Sequence, residues 1–173
     1  METNLLMDFI VDKENKCVHV KREFDAPLSA VWSAWTEAEI LDQWWAPAPW
    51  KSQTKSMEFK EGGRRLYAMV GPEGQEGWSF FDYTSITPKT NFKHSSTFCD
   101  ADANPNPDMG SSYWDVSFSE QGDLTVVDIT IKRDSLAELE KVIEMGFKEG
   151  FTSAMQGLDK IFETKKIKRF KKD

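Results

Sequence analysis

The rhythm of apolar and polar residues changes three times along the chain. Leu5–Val11 and Lys16–Phe24 read as two extended stretches, joined by the polar linker Asp12-Lys13-Glu14-Asn15, which suits a hairpin turn. In the second stretch Val18, Val20 and Phe24 share one face by period two. Arg22 has the same parity, so it stands at a strand end or is paired inside. Asp25-Ala26-Pro27 then punctuates, and Pro27 suits the first turn of a helix running to about Trp35. Thr36 with Glu39 reads as a capping box that opens a second short helix through Trp44-Trp45. Ala46-Pro47-Ala48-Pro49 stops it, because proline lacks the amide donor and restricts the residue before it.

From Lys51 to Lys132 the pattern is strands and turns. The candidate strands are Ser56–Phe59, Arg64–Val70, Gly77–Ile86, Asn91–Cys99, Tyr113–Ser119 and Leu124–Lys132. Short strands with hairpin-length connections predict an antiparallel meander. Asp100–Ser112 is the one long loop, of a length that is commonly a functional lid or simply mobile.

The last segment changes period again. Ser135 and Glu138 form a capping box, and Leu136, Leu139, Ile143, Phe147, Phe151, Ala154, Leu158 and Ile161 follow at steps of three and four. That spacing predicts one helix from Ser135 to about Lys165, packed through its apolar face on the sheet. Gly146 and Gly150 stack on one side of it, with Gly157 further on. They allow either close approach of helix to sheet or room for a ligand.

Composition narrows the picture. The 173 residues suit a single domain with one sizeable core, needing no disulfide or metal staple. The longest run without Asp, Glu, Lys or Arg is 11 residues, Ala26–Thr36, too short to span a bilayer. No basic region precedes an apolar stretch at the start, so no secretory signal is expected. Net charge is −7, and six cations crowd into residues 165–173. Residues 1–164 therefore carry 16 cationic against 28 anionic residues, −12, which argues against nucleic-acid binding by the fold. The basic tail reads as a solvated helix end complementing the helix dipole. Two cysteines without a CxxC spacing point to a reducing cytoplasm and no disulfide.

Candidate chemistry is sparse. His19 and His94 are the two histidines, and Cys17/His19 on one strand face lacks further ligands at metal spacing, so no metal is expected. Asp100, Asp102 and Asn104 imitate the start of a calcium loop, but Pro105 replaces the turn glycine and Ser111 the bidentate glutamate. Asp82, Asp115 and Asp128 lie within predicted strands and are expected to face solvent. The 22 aromatic residues are the unusual feature. Such rings build a core or line a ligand cavity.

Order and motifs together suggest a family. Arg22-Glu23-Phe24-Asp25-Ala26-Pro27 runs into Val31-Trp32, Thr36-Glu37, Leu41 and Trp44-Trp45. Glu61-Gly62-Gly63-Arg64, Tyr67-Ala68-Met69 and Gly71-Pro72-Glu73-Gly74 follow, and Gly150–Phe162 closes the pattern. Over about residues 16–165 the chain resembles the START-like (SRPBCC) superfamily. Within it, the chain resembles the family named after the C-terminal domain of the activator of heat-shock protein 90 ATPase. The resemblance implies an α+β helix-grip fold: a curved antiparallel sheet around a long C-terminal helix, with two short helices and often a cavity between helix and sheet. It carries over no catalytic residue and no cofactor.

The expected function is binding of a small apolar molecule. A co-chaperone-like protein-interaction role is the alternative, and a cyclase- or hydratase-type enzyme is less favoured. The candidate cavity residues are Trp44, Trp45, Tyr67, Trp78, Phe80, His94, Phe98, Phe147, Gly150 and Phe151. Trp44, Trp45 and a mobile loop Asp100–Ser112 are expected near the mouth. No nucleic-acid partner and no membrane insertion are expected.

Overall fold

A computed structural model describes the backbone of residues 5–171 and side chains as far as residue 165. Eight strands form one antiparallel sheet: β1 (Met7–Asp12), β2 (Cys17–Phe24), β3 (Lys51–Met57), β4 (Arg64–Val70), β5 (Glu76–Thr87), β6 (Asn91–Cys99), β7 (Ser111–Gln121) and β8 (Leu124–Lys132). Their order in the sheet is β1-β2-β8-β7-β6-β5-β4-β3. The meander β3 to β8 is therefore sequential, and the initial hairpin joins it through β2 beside β8. Two short helices, α1 (Leu28–Thr36) and α2 (Ala38–Trp44), connect β2 to β3. After β8 come α3 (Leu136–Glu144) and α4 (Phe147–Lys171). The curved sheet wraps α4 in a helix-grip arrangement, the α+β architecture expected.

Period-two alternation decides which side chains meet the helices. In register across the sheet, Val18, Val20 and Arg22 of β2 face Ile131, Ile129 and Val127 of β8. Trp114, Val116 and Phe118 continue that face on β7. Phe24, Val116, Val127 and Ile129 are fully buried. From α4 the buried residues are Phe151, Ala154, Met155, Leu158 and Phe162. Each of these side chains other than Ala154 contributes about 1.5–3 kcal/mol relative to exposure. Arg22 is indeed paired inside: it is buried on the concave face, donates to Asp159 of α4, and stacks 4.8 Å from the Phe24 ring.

Three local expectations need correction. The helix expected over Ser135–Lys165 is two helices. Gly146 takes a left-handed φ of 88°, and its N–H donates to the Ile143 carbonyl at 3.1 Å, closing α3 in the manner of a glycine helix terminus. The apolar steps run through this break unchanged, because Ile143 and Phe147 remain four residues apart. Leu136, at the start of the apolar series, is exposed instead. The capping box at Thr36 does not form. Thr36 ends α1 and its hydroxyl donates to the Trp32 carbonyl at 2.8 Å, while α2 starts after Glu37 without a side-chain cap. The third strand begins at Lys51 rather than Ser56, since a bulge between Thr54 and Ser56 lets a polar segment pair with β4. The Ser135 cap is present, its Oγ accepting from the Glu138 N–H at 3.1 Å. The backbone of the basic tail continues α4 to Lys171, and the side chains beyond Lys165 lie outside those described.

Candidate functional site

The parity of β4, β5, β6 and β7 assembles an aromatic cluster on the concave face beneath α2 and α4. Tyr67 and Phe81 approach to 5.2 Å between ring centroids, and Phe81 stacks on His94 at 4.1 Å. His94 in turn stacks against Trp114 at 5.5 Å. Trp45, delivered by the end of α2, sits at the hub, with edge or tilted contacts to Trp35, Phe81, Trp114 and Phe151. Phe147 stacks on Phe151 from the helix side at 5.4 Å.

One charged residue lies inside this cluster. Arg65 has no exposed surface, and its guanidinium lies 4.0 Å from the Tyr67 ring and 5.3 Å from that of Phe81. It is held by a relay of short polar groups. Nε donates to Thr54 Oγ1 at 3.2 Å and Nη2 to Ser52 Oγ at 3.0 Å. Both hydroxyls donate onward to Asp42 Oδ1 at 2.8 Å, and Nη2 itself reaches Asp42 at 3.5 Å. Burial pulls the Arg65 pKa down while Tyr67, Tyr83 and Asp42 oppose it, and the guanidinium keeps its proton. Among the described residues its third nitrogen, Nη1, has no hydrogen-bond partner. The Nε1 groups of Trp35 and Trp114 are likewise buried without a partner among those residues. The Arg65 guanidinium carbon and the Trp35 and Trp114 rings each lie 5.7–5.9 Å from the Trp45 ring, whose own Nε1 donates to Tyr67 Oη at 3.0 Å.

His94 is chemically quiet. Its Nδ1 faces the Ser95 carbonyl at 3.1 Å, so that nitrogen carries the hydrogen and the ring is neutral. Burial pushes its pKa down to about 3. A ring of that pKa is a weak base and is not the imidazolium that would act as an acid near neutrality, which disfavours an acid–base role. The strand carboxylates stand on the opposite face: Asp82 pairs with Arg64 at 2.6 Å, and Asp115 accepts from Asn91 at 2.6 Å.

The ten candidate cavity residues fall into three groups. Trp45, Tyr67, His94, Phe147 and Phe151 come together in the cluster. Trp44 is buried beside it, donating through Nε1 to the Ala34 carbonyl at 2.9 Å. Trp44 also borders a half-open cleft of about 520 Å³ between the 46–51 connection and α4, with Trp50, Pro49, Ala154, Gly157 and Lys160. Gly150 lies along the same seam: a Cβ there would meet Pro47 at 3.8 Å, so its neighbour is the α2–β3 connection rather than the sheet.

Trp78 and Phe80 are not in the cluster. They pair with Ala68 and Leu66 on the convex face, where Lys55 lies 5.7 Å from the Trp78 ring and Arg64 lies 4.0 Å from that of Phe80. The reason is parity: Ser79, Phe81 and Tyr83 alternate with them and take the concave side. Phe98 has concave parity but sits at the strand end, 39% exposed.

The loop 100–112 leaves β6 at the same end of the sheet as the segment that enters β3. It is tied to its surroundings by Lys55 donating to Ala101, Lys141 to Asp108 and Arg133 to Met109 carbonyls, at 3.1, 3.3 and 2.5 Å. The residues missed from sequence are Arg65, Phe81, Trp35 and Trp114. The parity that groups Arg65 with Tyr67 was available as a signal: of two adjacent arginines in one strand, one must face inward.

A sheet gripping a C-terminal helix over an aromatic interior defines a START-like domain, a ligand-binding or interaction module. Residues 25–163 match the family profile of Activator of Hsp90 ATPase homolog 1-like proteins, and the chain belongs to that family. Among solved structures it is similar to protein Ms6760 from Mycobacterium smegmatis, at 26% identity and a TM-score of 0.84 over 91% of this chain and 96% of that one. It is similar also to a protein from Arthrobacter aurescens, at 27% identity and 0.83 over 88% of each. The AHSA1 protein from Silicibacter pomeroyi shares the fold at 17% identity and 0.70, over 86% of this chain and 99% of that one. No curated protein matches the sequence. Among the described residues no helix is long and apolar enough to cross a membrane.

Proposed function

We propose that the protein binds a small aromatic or apolar molecule bearing a hydrogen-bond acceptor, held beneath α4 against the concave face. The observation that carries this reading is Arg65: fully buried, fixed by Ser52, Thr54 and Asp42, and with Nη1 left without a partner among the described residues. Buried polar groups are normally satisfied, so unpartnered donors on Arg65, Trp35 and Trp114 in one aromatic cluster favour an acceptor-bearing ligand over a purely apolar one. The rings of Trp45, Phe81, Trp114 and Phe151 supply the apolar walls. The family and its helix-grip fold support the same class of role.

The test uses 1-anilinonaphthalene-8-sulfonate, whose rings and sulfonate match this chemistry. The full chain is expected to bind it stoichiometrically with enhanced fluorescence. Trp114→Phe, which keeps a ring but removes one donor, should weaken binding by about tenfold, the equivalent of one hydrogen bond. Arg65→Met should weaken it further. Near-ultraviolet circular dichroism checks that each variant keeps native packing. Equal affinity in wild type and both variants, or no binding by wild type, rejects the reading.

A further inference from the structure

On the outer face of the sheet, the β1–β2 hairpin brings together three groups of another kind. Asp12 closes β1 and Cys17 opens β2 directly opposite it, with His19 two residues on along the same face. Cys17 Sγ lies 3.3 Å from His19 Nε2, and Asp12 Oδ2 lies 3.7 Å from the same nitrogen. All three donor atoms fall within 4.8 Å of one another. For bonds of about 2.0–2.3 Å in a tetrahedral zinc site, neighbouring donor atoms stand roughly 3.3–3.7 Å apart. Both pairs that include His19 already stand at that spacing, and a small rotation of the Asp12 carboxylate or the Cys17 thiol closes the third.

The surroundings orient the donors. His19 Nδ1 contacts Thr130 Oγ1 at 3.3 Å, which turns Nε2 toward the other two groups. Asn15 donates its backbone N–H to Asp12 Oδ1 at 3.1 Å and its side-chain amide to Oδ2 at 2.8 Å, fixing the carboxylate. Such outer contacts are what metal-ligating imidazoles and carboxylates ordinarily have. Cys17 is buried while His19 is exposed, so a cation can enter from solvent and meet the thiol at the base of the site.

The geometry points to a zinc(II) site formed by Asp12, Cys17 and His19, with the fourth position open to water or an exchangeable ligand. A thiolate, an imidazole and a carboxylate form a donor set of the borderline softness that zinc takes. On binding, the Cys17 thiol releases its proton to solvent, and the thiolate and Asp12 together balance the two positive charges. This site is independent of the aromatic interior, which lies on the other face.

Cobalt(II) substitution tests it on the full reduced chain. The expected result is one equivalent bound, with thiolate-to-cobalt charge-transfer absorption in the near ultraviolet and tetrahedral d–d bands, displaced by zinc. Cys99→Ser should keep the signal and Cys17→Ser should abolish it. His19→Ala and Asp12→Asn should each weaken binding by more than the roughly 10–100-fold that changes around a ligand produce. If Cys17→Ser fails to fold, the latter two variants decide alone, since His19 is exposed and Asp12 lies at a hairpin turn. No charge-transfer band at saturating cobalt overturns the proposal. So does a band lost in Cys99→Ser, or unchanged affinity in both His19→Ala and Asp12→Asn.

Discussion

Replacing His94 by phenylalanine should remove most of the acid sensitivity of this fold above pH 5. The imidazole is neutral and buried among Phe81, Phe92 and Trp114, and burial holds its pKa at about 3 against an ordinary 6.5. In the unfolded chain it takes up a proton as pH falls below 6.5, while the folded chain does not. The unfolded state then binds more protons, so stability is complete above 6.5 and declines toward pH 3. Each pH unit in that window is about 1.4 kcal/mol, so the loss is about 2 kcal/mol at pH 5 and about 5 kcal/mol in full. That is a large share of the ~5–15 kcal/mol typical of a domain. Urea midpoints measured at pH 7, 6 and 5 read the effect before most carboxylates titrate. Phenylalanine keeps the stacked ring and gives up the hydrogen bond to Ser95, so His94→Phe should show a flatter profile. His19 is exposed and common to both proteins. Parallel profiles for wild type and His94→Phe, or an imidazole resonance of His94 titrating near 6.5, would refute the reasoning.

Two further outcomes follow from the helices. Gly150→Ala and Gly157→Ala should each stabilise by up to about 1 kcal/mol, because their Cβ atoms would meet Pro47 and Trp44 at ordinary distances of 3.8 and 4.0 Å. Gly146→Ala, at a φ of 88°, should destabilise by about 1 kcal/mol, and thermal melts giving the three substitutions one sign would contradict this. Asp159→Leu should cost roughly 3–5 kcal/mol by leaving Arg22 buried without its carboxylate, whereas Arg22→Met with Asp159→Leu should recover most of it. Denaturation showing the double variant no better than Asp159→Leu alone would count against that account.

The sequence carried the order of elements and the face of most strands, because alternation and turn chemistry are local. It did not carry the break at Gly146, since Ile143 and Phe147 keep helical spacing across it and only the backbone angle of the glycine reveals the stop. It placed Trp78 and Phe80 on the wrong side of β5, because Trp78, Phe80, Phe81 and Tyr83 form a run with aromatics of both parities. Nothing local says which set faces the helix. Tyr67 supplies the missing reference, since its register partner Ser79 shares a face with Phe81 and Tyr83. The zinc candidate was half visible as Cys17 and His19. Asp12 enters only when the hairpin closes with Asp12 opposite Cys17, a pairing that depends on where the turn falls within the linker.

The aromatic interior also bears on what the fold is for. Rings alone would fill the space under α4 without polar atoms, and leucine or phenylalanine at position 65 would satisfy period two. Instead the chain buries a guanidinium there and commits Ser52, Thr54 and Asp42 to holding it. An unpaired buried donor costs about 1–3 kcal/mol, so the three in this cluster together come to a large share of the ~5–15 kcal/mol typical of a domain. Ordered water or the acceptor atom of a ligand can meet them, and Trp114→Phe separates the two. If water meets the donor, removing it should leave stability level or slightly raised and leave the affinity for the naphthalene sulfonate unchanged. If a ligand acceptor meets it, stability of the free protein should still be level or raised, but affinity should fall by about tenfold. The pairing of unchanged or improved stability with lost affinity is the signature of a group kept for binding rather than for folding.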